Sequence, residues 1–283
     1  MSDVDTAARA FKAAEDLPGA VREPMGELLL VLADNKRLLG MRYSDWILGA
    51  PALEAGIACS AMAQDEWGHG RIVYAMLRDF GYDPHHLEHE RDASEYRSSE
   101  LLDRPAEGWP DLLALNLLLD TALSVQFEAM AESSFEPVHY KVQKLLDEER
   151  FHFEHARGWT ARLATTPQGR RSLERAFAPA WRACLRWFGP SDDPVDAALE
   201  GAGIIDAGPD LLRARWLSRV GPVVSGAGLE LAEETGVGWT THVDATWDDD
   251  WKPGWRRSAE ADGPDEDTLR RVRGDKNRPL LMD

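Results

Sequence analysis

The chain has 283 residues, and its 50 acidic residues against 32 basic ones give a formal net charge of −18. A chain of this length can bury a large core, and so acidic a surface repels nucleic acid and anionic membranes, so we expect neither as a partner. The N-terminus lacks the apolar region of a signal peptide, and no apolar run approaches the ~18 residues of a membrane span. We therefore expect a cytoplasmic protein whose two cysteines, Cys59 and Cys184, are reduced thiols.

Apolar periodicity and helix-breaking residues predict an all-α chain. We expect an N-terminal arm over residues 1–22, a helical domain over 23–238, and an irregular tail over 239–283 that wraps or docks. Pro24 suits the first turn of the first helix, and Gly81 suits the end of the second. The predicted helices span 23–48, 51–80, 111–134, 137–164 and 167–188, with a polar crossover at 82–108 and a shorter helix from 209 to 220.

Two matched segments carry the chemistry. One reads Gln-Asp-Glu-Trp-Gly-His and ends at His69, and the other reads Asp-Glu-Glu-Arg-Phe-His and ends at His152. In each, a glutamate (Glu66 or Glu149) precedes the histidine by three residues and follows another acid. Positions i and i+3 share a helix face, so each segment directs a carboxylate and an imidazole to one point. This is the ligand pattern of ferritin-like di-iron and di-manganese bundles.

Both pairs lie within apolar rows of their helices rather than on solvated faces. The third helix adds Asp120 to its inward row, which favours a bridging or terminal metal ligand there; Glu128 is the second candidate on that helix. Ionised carboxylates are costly to bury unpaired. The sequence therefore predicts a dinuclear metal site in a ferritin-like four-helix bundle, with additional C-terminal helices.

The alternative for these side chains is a buried polar network that is salt-bridged to arginines such as Arg71 or Arg150. Asp65 and Glu148 are either solvated acids or acceptors that orient the imidazoles across the bundle. The other histidines near these segments, which we expect to be packing, outer-shell or surface residues, are His155, His85, His86 and His89.

The first helix lacks an evident ligand. If the first half mirrors the second, that ligand falls 29 or 30 residues before Glu66, at Arg37 or Lys36, and neither can ligate iron. The nearest inward carboxylate is Asp34. Three alternatives follow: Asp34 substitutes, water completes the coordination, or Arg37 neutralises the acids and one metal is lost.

At these residues the chain resembles the catalytic alpha subunit of the bacterial ring-1,2-phenylacetyl-CoA epoxidase, a ferritin-like multicomponent monooxygenase. The resemblance covers about residues 25 to 235. It departs where the family's first-helix glutamate falls at Arg37 and where a family lysine is Met62. The matching segments are Leu38-Leu39-Gly40-Met41, Trp46-Ile47, Ala50-Pro51, Gln64 through Gly70, Asp120 through His152, and Phe188 through Asp193.

The resemblance implies a di-iron oxygenase subunit that inserts one oxygen atom into the ring of an aromatic acyl-CoA in phenylacetate catabolism. It implies two iron ions, electrons from a separate flavin and iron–sulfur reductase, a companion oxygenase subunit and a small coupling subunit. Glu66 and Glu149 would be the catalytic carboxylates. The implied metal ligands are Glu66, His69, Asp120, Glu149 and His152.

Two other functions remain open. The structural, non-catalytic sister subunit of that complex has lost most ligands, and its first helix also resembles Leu32-Ala33-Asp34-Asn35, so the chain could be a scaffold with Arg37 in place of a cation. A ferritin-like oxidase or metal store is the third option. Candidate cavity walls are Cys59, Met62 and Phe127, and candidate arginines for CoA phosphates are Arg256, Arg257, Arg270, Arg271 and Arg273.

Overall fold

The structure is a computed structural model that describes residues 10–244, 246–247, 251–252, 257–258 and 262–275. This part of the chain is largely helical, which confirms the predicted all-α class. None of its helices is both long enough and apolar enough to cross a membrane. The helices are α1 (Gly19–Asp45), α2 (Leu53–Leu77), α3 (Pro84–His89), α4 (Trp109–Ala114), α5 (Thr121–Glu128), α6 (Glu136–Ala164), α7 (Pro167–Trp187), α8 (Pro194–Gly201), α9 (Pro209–Gly226) and α10 (Glu266–Arg273).

Four rods form the ferritin-like bundle: α1, α2, the α4–α5 unit and α6. Helix α1 packs along α2, α2 also contacts α6, and α6 contacts α5. A π-helical segment, Leu115–Asp120, joins α4 to α5. Helix α7 covers α4, and α9 covers α5. Two short antiparallel pairs follow, β1 (Glu233–Thr235) with β2 (Gly238–Thr240) and β3 (Trp251–Lys252) with β4 (Arg257–Ser258).

The structure confirms some of the predicted helix ends and corrects others. Gly81 has a φ of 94° and ends the 3₁₀ turn that extends α2, and the Thr166 side chain accepts from the Gly169 N–H at 3.0 Å to cap α7. The prediction for Pro24 was wrong, because α1 begins one turn earlier, at Gly19, and Pro24 lies inside it. The third predicted helix ends at Glu128 rather than at residue 134.

Three helices were missed by the sequence pattern, namely α3, α8 and α10. The first two have 6 and 8 residues, so neither is long enough to show a clear apolar period. Helix α10 lies within the tail that was predicted to be irregular, and it contacts α1. Its Thr268 accepts from the buried Arg42 guanidinium at 2.6 Å, and its Val272 carbonyl accepts from Arg37 at 3.3 Å.

Two of the three candidate arginines on α10 bond residues outside this helix. Arg271 pairs with Asp45 of α1, and Arg273 donates to the Arg91 carbonyl at 2.6 Å. Arg270 is bonded to Asp267 within α10. The side chains of the other two candidates, Arg256 and Arg257, fall outside the described residues.

Helix α1 is buried on almost every side, so its polar residues need partners inside the protein. Asp34 has such partners from the crossover. Its two carboxylate oxygens accept from the Arg91 guanidinium at 2.5 and 2.9 Å, from the Tyr74 hydroxyl at 2.5 Å and from the Arg97 N–H at 2.7 Å. This network ties α1 to residues 91–97.

Replacing Asp34 should therefore unfold the protein more easily. Asp34→Asn leaves the Arg91 guanidinium buried without its counter-charge, so we expect the free energy of unfolding to fall by about 3–5 kcal/mol. Urea denaturation followed by circular dichroism measures the loss. The matched control is Glu23→Gln, an exposed carboxylate on the same helix, which should change the stability by less than about 0.5 kcal/mol. Equal stability of the two variants would show that the Asp34 contacts do not stabilise the packing of α1 against residues 91–97.

Candidate metal centre

Four of the five predicted ligands meet at the centre of the bundle. Glu66 comes from α2, Asp120 from the end of the π-helical segment, and Glu149 and His152 from α6. Each offers a ligand atom, and these atoms all lie within 4.8 Å of one another. All four side chains are buried, with at most 4% exposure. The spacing of three residues thus places Glu149 and His152 at one point, as predicted.

The fifth predicted ligand, His69, lies against the same group. Its Nδ1 is 3.1 Å from Glu149 Oε1 and 3.9 Å from Glu66 Oε2. The imidazole is 2% exposed. The structure therefore brings all five predicted residues together, whereas their role as metal ligands stays a prediction.

The acids that precede each glutamate orient the imidazoles, as one of the two interpretations expected. Glu148 Oε2 lies 2.8 Å from His69 Nε2, and Asp65 Oδ2 lies 3.3 Å from His152 Nε2. Each contact crosses from α2 to α6. A carboxylate at Nε2 holds a proton on that nitrogen. Nδ1 of each imidazole faces the carboxylates at the bundle centre, Glu149 for His69 and Asp120 for His152.

Lys36 of α1 fills the place where a first-helix ligand was sought. Its ammonium nitrogen lies 3.0 Å from Glu66 Oε1, 2.7 Å from Asp120 Oδ1 and 2.6 Å from Glu149 Oε1. The side chain has no exposed surface. One cation therefore bonds carboxylates from three other segments of the bundle.

The alternative that placed Arg37 in this role was wrong. One residue along a helix turns the side chain by about 100°, so Arg37 points to the outside of α1. Its guanidinium lies 3.7 Å from Glu88. The alternative of a polar network salt-bridged to arginines named the wrong donors. Arg71 and Arg150 are exposed, and Lys36 makes the buried contacts.

Asp34 does not substitute as a ligand, because its carboxylate accepts hydrogen bonds from Arg91 and Tyr74, away from the cluster. Glu128, the second candidate on the third helix, pairs with Arg219 at 2.5 Å. His155 is an outer residue, as expected, and contacts Asn116 through Nδ1 at 3.2 Å.

The sequence reasoning missed three polar residues around the cluster. The Tyr43 hydroxyl donates to Asp120 Oδ2 at 2.7 Å, and Asn116 Nδ2 donates to that hydroxyl at 2.8 Å. Ser124 donates to Glu149 Oε2 at 3.2 Å. Tyr43 lies seven residues after Lys36, so the inward face of α1 could have indicated it. Burial and the charge of Asp120 raise the pKa of Tyr43 well above the usual value.

The charges within the cluster are unequally compensated. Burial alone would lower the pKa of Lys36, but the charges of Asp120, Glu149 and Glu66 outweigh burial and raise it. Burial likewise opposes ionisation of Asp120, yet the Lys36 ammonium holds the pKa of that carboxyl well below its usual range. For Glu66, burial and the neighbouring Asp120 charge outweigh Lys36 and raise the pKa. The ionised form of Glu66 is thus stabilised less than that of Asp120.

A cavity of about 610 Å³ reaches the cluster from the side of α5, α6 and α9. Glu149 and Ser124 lie at its inner end, and Arg150, Phe151 and Arg219 are among the residues nearer its mouth. The three predicted wall residues, Cys59, Met62 and Phe127, are instead buried core residues that do not line this cavity.

The donors do not fit a pair of iron ions while Lys36 lies among them. The ferritin-like pattern has four carboxylates and two imidazoles for two ions, whereas here the ammonium of Lys36 replaces the fourth carboxylate. Burial opposes the protonation of His69 and His152, but the neighbouring carboxylates outweigh it and raise the pKa of both imidazoles. These imidazoles and Lys36 together oppose the three acids, so two divalent ions would overcompensate them. Two ions would also need the oxygens that Lys36 engages.

Lys36→Met tests the ion pairs. In the presence of a metal chelator at pH 7.5, the variant leaves buried carboxylates without their cation, so we expect unfolding to cost about 3–5 kcal/mol less than in the unchanged protein. The raised pKa of Glu66 should rise further. A carboxyl whose folded pKa is raised contributes stability below its unfolded pKa and loses it as pH rises through the folded value, so the deficit should shrink by pH 5.5.

The measurement is urea denaturation at both pH values. Lys144→Met, the same change at a lysine that is 78% exposed, is the control and should stay within about 0.5 kcal/mol of the unchanged protein. Equal stabilities of the two variants at pH 7.5 would refute the central role of the Lys36 contacts.

Sequence comparison relates the chain to two components of one bacterial enzyme, the 1,2-phenylacetyl-CoA epoxidase of Escherichia coli (strain K12). The chain is 28% identical over 208 residues to the C subunit of that enzyme, a match that covers 72% of this chain and 83% of the relative. It is also 28% identical over 206 residues to the A subunit, a match that covers 70% of this chain and 66% of the relative. The family model for the Phenylacetic acid catabolic protein matches residues 1–253, and the chain therefore belongs to this family, as the resemblance predicted.

Proposed function

We propose that the chain is a companion subunit of a multicomponent epoxidase of phenylacetate catabolism and that it does not itself carry the di-iron centre. The observation that supports this most is the Lys36 ammonium, which lies 2.6–3.0 Å from oxygens of Glu66, Asp120 and Glu149. The ammonium bonds one oxygen of each of the three predicted carboxylate ligands of a metal pair.

The position of the lysine argues for this role over the catalytic one. A buried ammonium that is bonded to three carboxylates leaves only if those acids gain other cations and it reaches solvent or another partner. Lys36 has no exposed surface and ends an unbroken run of buried residues, 28–36, on α1. Opening the site to two ions would therefore require the side chain to leave a fully enclosed position.

The comparisons agree with a companion role without requiring it. The chain matches both epoxidase relatives with the same identity, 28%, and covers 83% of the C subunit against 66% of the A subunit. Family membership alone therefore does not separate the two roles. Lys36 supports the companion role, because an ammonium cannot ligate a metal while it stays protonated.

The predicted di-iron oxygenase remains the second candidate, and one observation favours it. All five predicted ligands converge, and a cavity of about 610 Å³ leads from the surface to Glu149. In that function Lys36 would leave the centre, the five predicted ligands would hold two iron ions, and an aromatic acyl-CoA would enter through the cavity. Electrons come from a flavin and iron–sulfur reductase, and a coupling subunit and a companion oxygenase subunit complete the assembly.

Metal loading separates the two candidates. After anaerobic addition of excess Fe(II), removal of unbound metal and exposure to O2, we expect no spectrum of a coupled iron pair from the unchanged chain. Lys36→Glu restores a fourth carboxylate and should bind a pair. Metal analysis with Mössbauer spectroscopy gives the answer. A coupled pair in the unchanged protein would support the oxygenase and refute the companion role.

Assembly provides the complementary test. We expect the chain to form a stable complex with a second family member from the same source that has glutamate at the position of Lys36, as measured by size-exclusion chromatography with light scattering. Glu149→Gln in this chain should leave epoxidation of phenylacetyl-CoA within about twofold, because the chemistry lies in the partner. The matching Glu→Gln change in the partner should abolish it.

The outcome is informative only if both variants still assemble, which the same chromatography shows. Loss of turnover caused by Glu149→Gln in an intact complex would contradict the companion role.

A further inference from the structure

We propose that helix α3 carries a site for one divalent transition-metal ion, with His85 and His89 as ligands and Glu90 as the third donor. The proposal goes beyond the proposed function and does not rest on it, because these residues lie in the crossover and not at the bundle centre. Three histidines and this glutamate fall within six residues of the sequence. The side chains of His85 and Glu90 are 64% and 51% exposed, so an ion from solvent reaches them and both side chains are free to turn towards it.

Helix α3 holds two imidazoles on one face. His85 and His89 are one helical turn apart, and their ring centroids lie 5.2 Å from each other. The start of the helix is fixed, because the Asp83 carboxylate accepts from the His85 N–H at 3.0 Å and Pro84 occupies the first turn. Histidines at positions i and i+4 of a helix have the spacing with which helical motifs bind zinc. The two rings are therefore placed to chelate one ion.

The His89 ring is oriented by helix α10. It donates a hydrogen bond to the Val272 carbonyl, and burial together with the Arg37 charge lowers the pKa of the imidazole. The ring is therefore neutral at pH 7, with one nitrogen protonated towards Val272 and a lone pair on the other. A ring N–H that is donated to a backbone carbonyl is the usual arrangement of a metal-bound histidine.

Glu90 supplies a carboxylate beside His85. Its Oε1 lies 3.6 Å from His85 Nδ1, which is too long for a hydrogen bond. Nitrogen and oxygen ligands lie roughly 2.0–2.2 Å from zinc, so two donors of one ion are at most about 4.4 Å apart. The separation therefore suits two ligands with an ion between them. The third histidine, His86, is engaged elsewhere, since its Nε2 lies 3.4 Å from Glu95 Oε1.

The chemistry of these donors selects the kind of ion. Two imidazoles and one carboxylate favour zinc, nickel or copper over calcium and magnesium, which prefer oxygen ligands. The formal charge of −18 on the chain attracts cations to its surface. The ligand class is therefore a borderline divalent transition-metal ion.

An ion at this site would strengthen the contact between α3 and α10. The Val272 carbonyl that accepts from His89 also accepts from Arg37 of α1 at 3.3 Å, so three helices meet at one carbonyl oxygen. A ligand that binds only the folded arrangement stabilises that arrangement. An ion that holds the His89 ring would thus also hold α10 against the crossover.

Zinc binding by the full chain tests the site. After treatment with a chelator, Zn(II) bound per chain is measured by equilibrium dialysis. His85→Gln and His89→Gln should each weaken the binding of one Zn(II) at least about tenfold. The matched control is His242→Gln, at a histidine that is 53% exposed and also lies 3.6 Å from a glutamate, Glu233; it should change neither the affinity nor the number of bound ions. Any ion at the bundle centre is common to all these proteins, so the comparison is unaffected by it.

Paramagnetic Cu(II) locates the ion. The methyl NMR signals of Leu87 in α3 and Val272 in α10 should broaden when Cu(II) is added, and His85→Gln should remove this broadening. Zinc affinity that is unchanged by His85→Gln, or Cu(II) that leaves both signals sharp, overturns the proposal. Because His85 is exposed, its replacement leaves the fold intact, and thermal unfolding shows whether His89→Gln does the same. Iron loading of the bundle centre is measured separately, so failure of this site leaves the companion role standing.

Discussion

The interaction on which the bundle depends is the contact of the Lys36 ammonium with three buried carboxylates. Glu66, Asp120 and Glu149 come from different rods, and each would resist burial near the others without a cation. In ferritin-like proteins of this ligand pattern, metal ions supply that positive charge. Here the Lys36 side chain of α1 supplies part of that positive charge. Its one nitrogen bonds a carboxylate from each of the other three rods, so all four rods meet there.

Much of this centre followed from the sequence because local periodicity decides which side chains face inward. The spacing of three residues placed each glutamate and histidine on one helix face, and the apolar rows around them directed that face to the core. The same reasoning identified Asp120, Asp65 and Glu148. These predictions needed no knowledge of the relative positions of the helices, only of the face that each one buries.

The remaining features depend on contacts between distant segments. Lys36 and Arg37 differ by about 100° around α1, and only the packing of α1 against α2 determines which one enters the centre. The partner of Asp34 is Arg91, 57 residues away, and Arg42 reaches Thr268 across 226 residues. The π-helical turn that ends at Asp120 has no distinct sequence signal, although such turns are frequent at functional sites.

The imidazoles argue that the centre has retained more than an ion-pair network. A network closed by lysine needs acceptors, and the carboxylates already supply them. Yet His69 and His152 keep carboxylates of the opposite helix at Nε2, an arrangement that is typical of metal-bound histidine. His152 Nδ1 lies 3.1 Å from Asp120, and His69 Nδ1 lies 3.1 Å from Glu149. The exchange of a carboxylate for an ammonium on α1 therefore alters the charge of the centre, while the imidazoles and the carboxylates behind them keep the placement that the ligand pattern predicts.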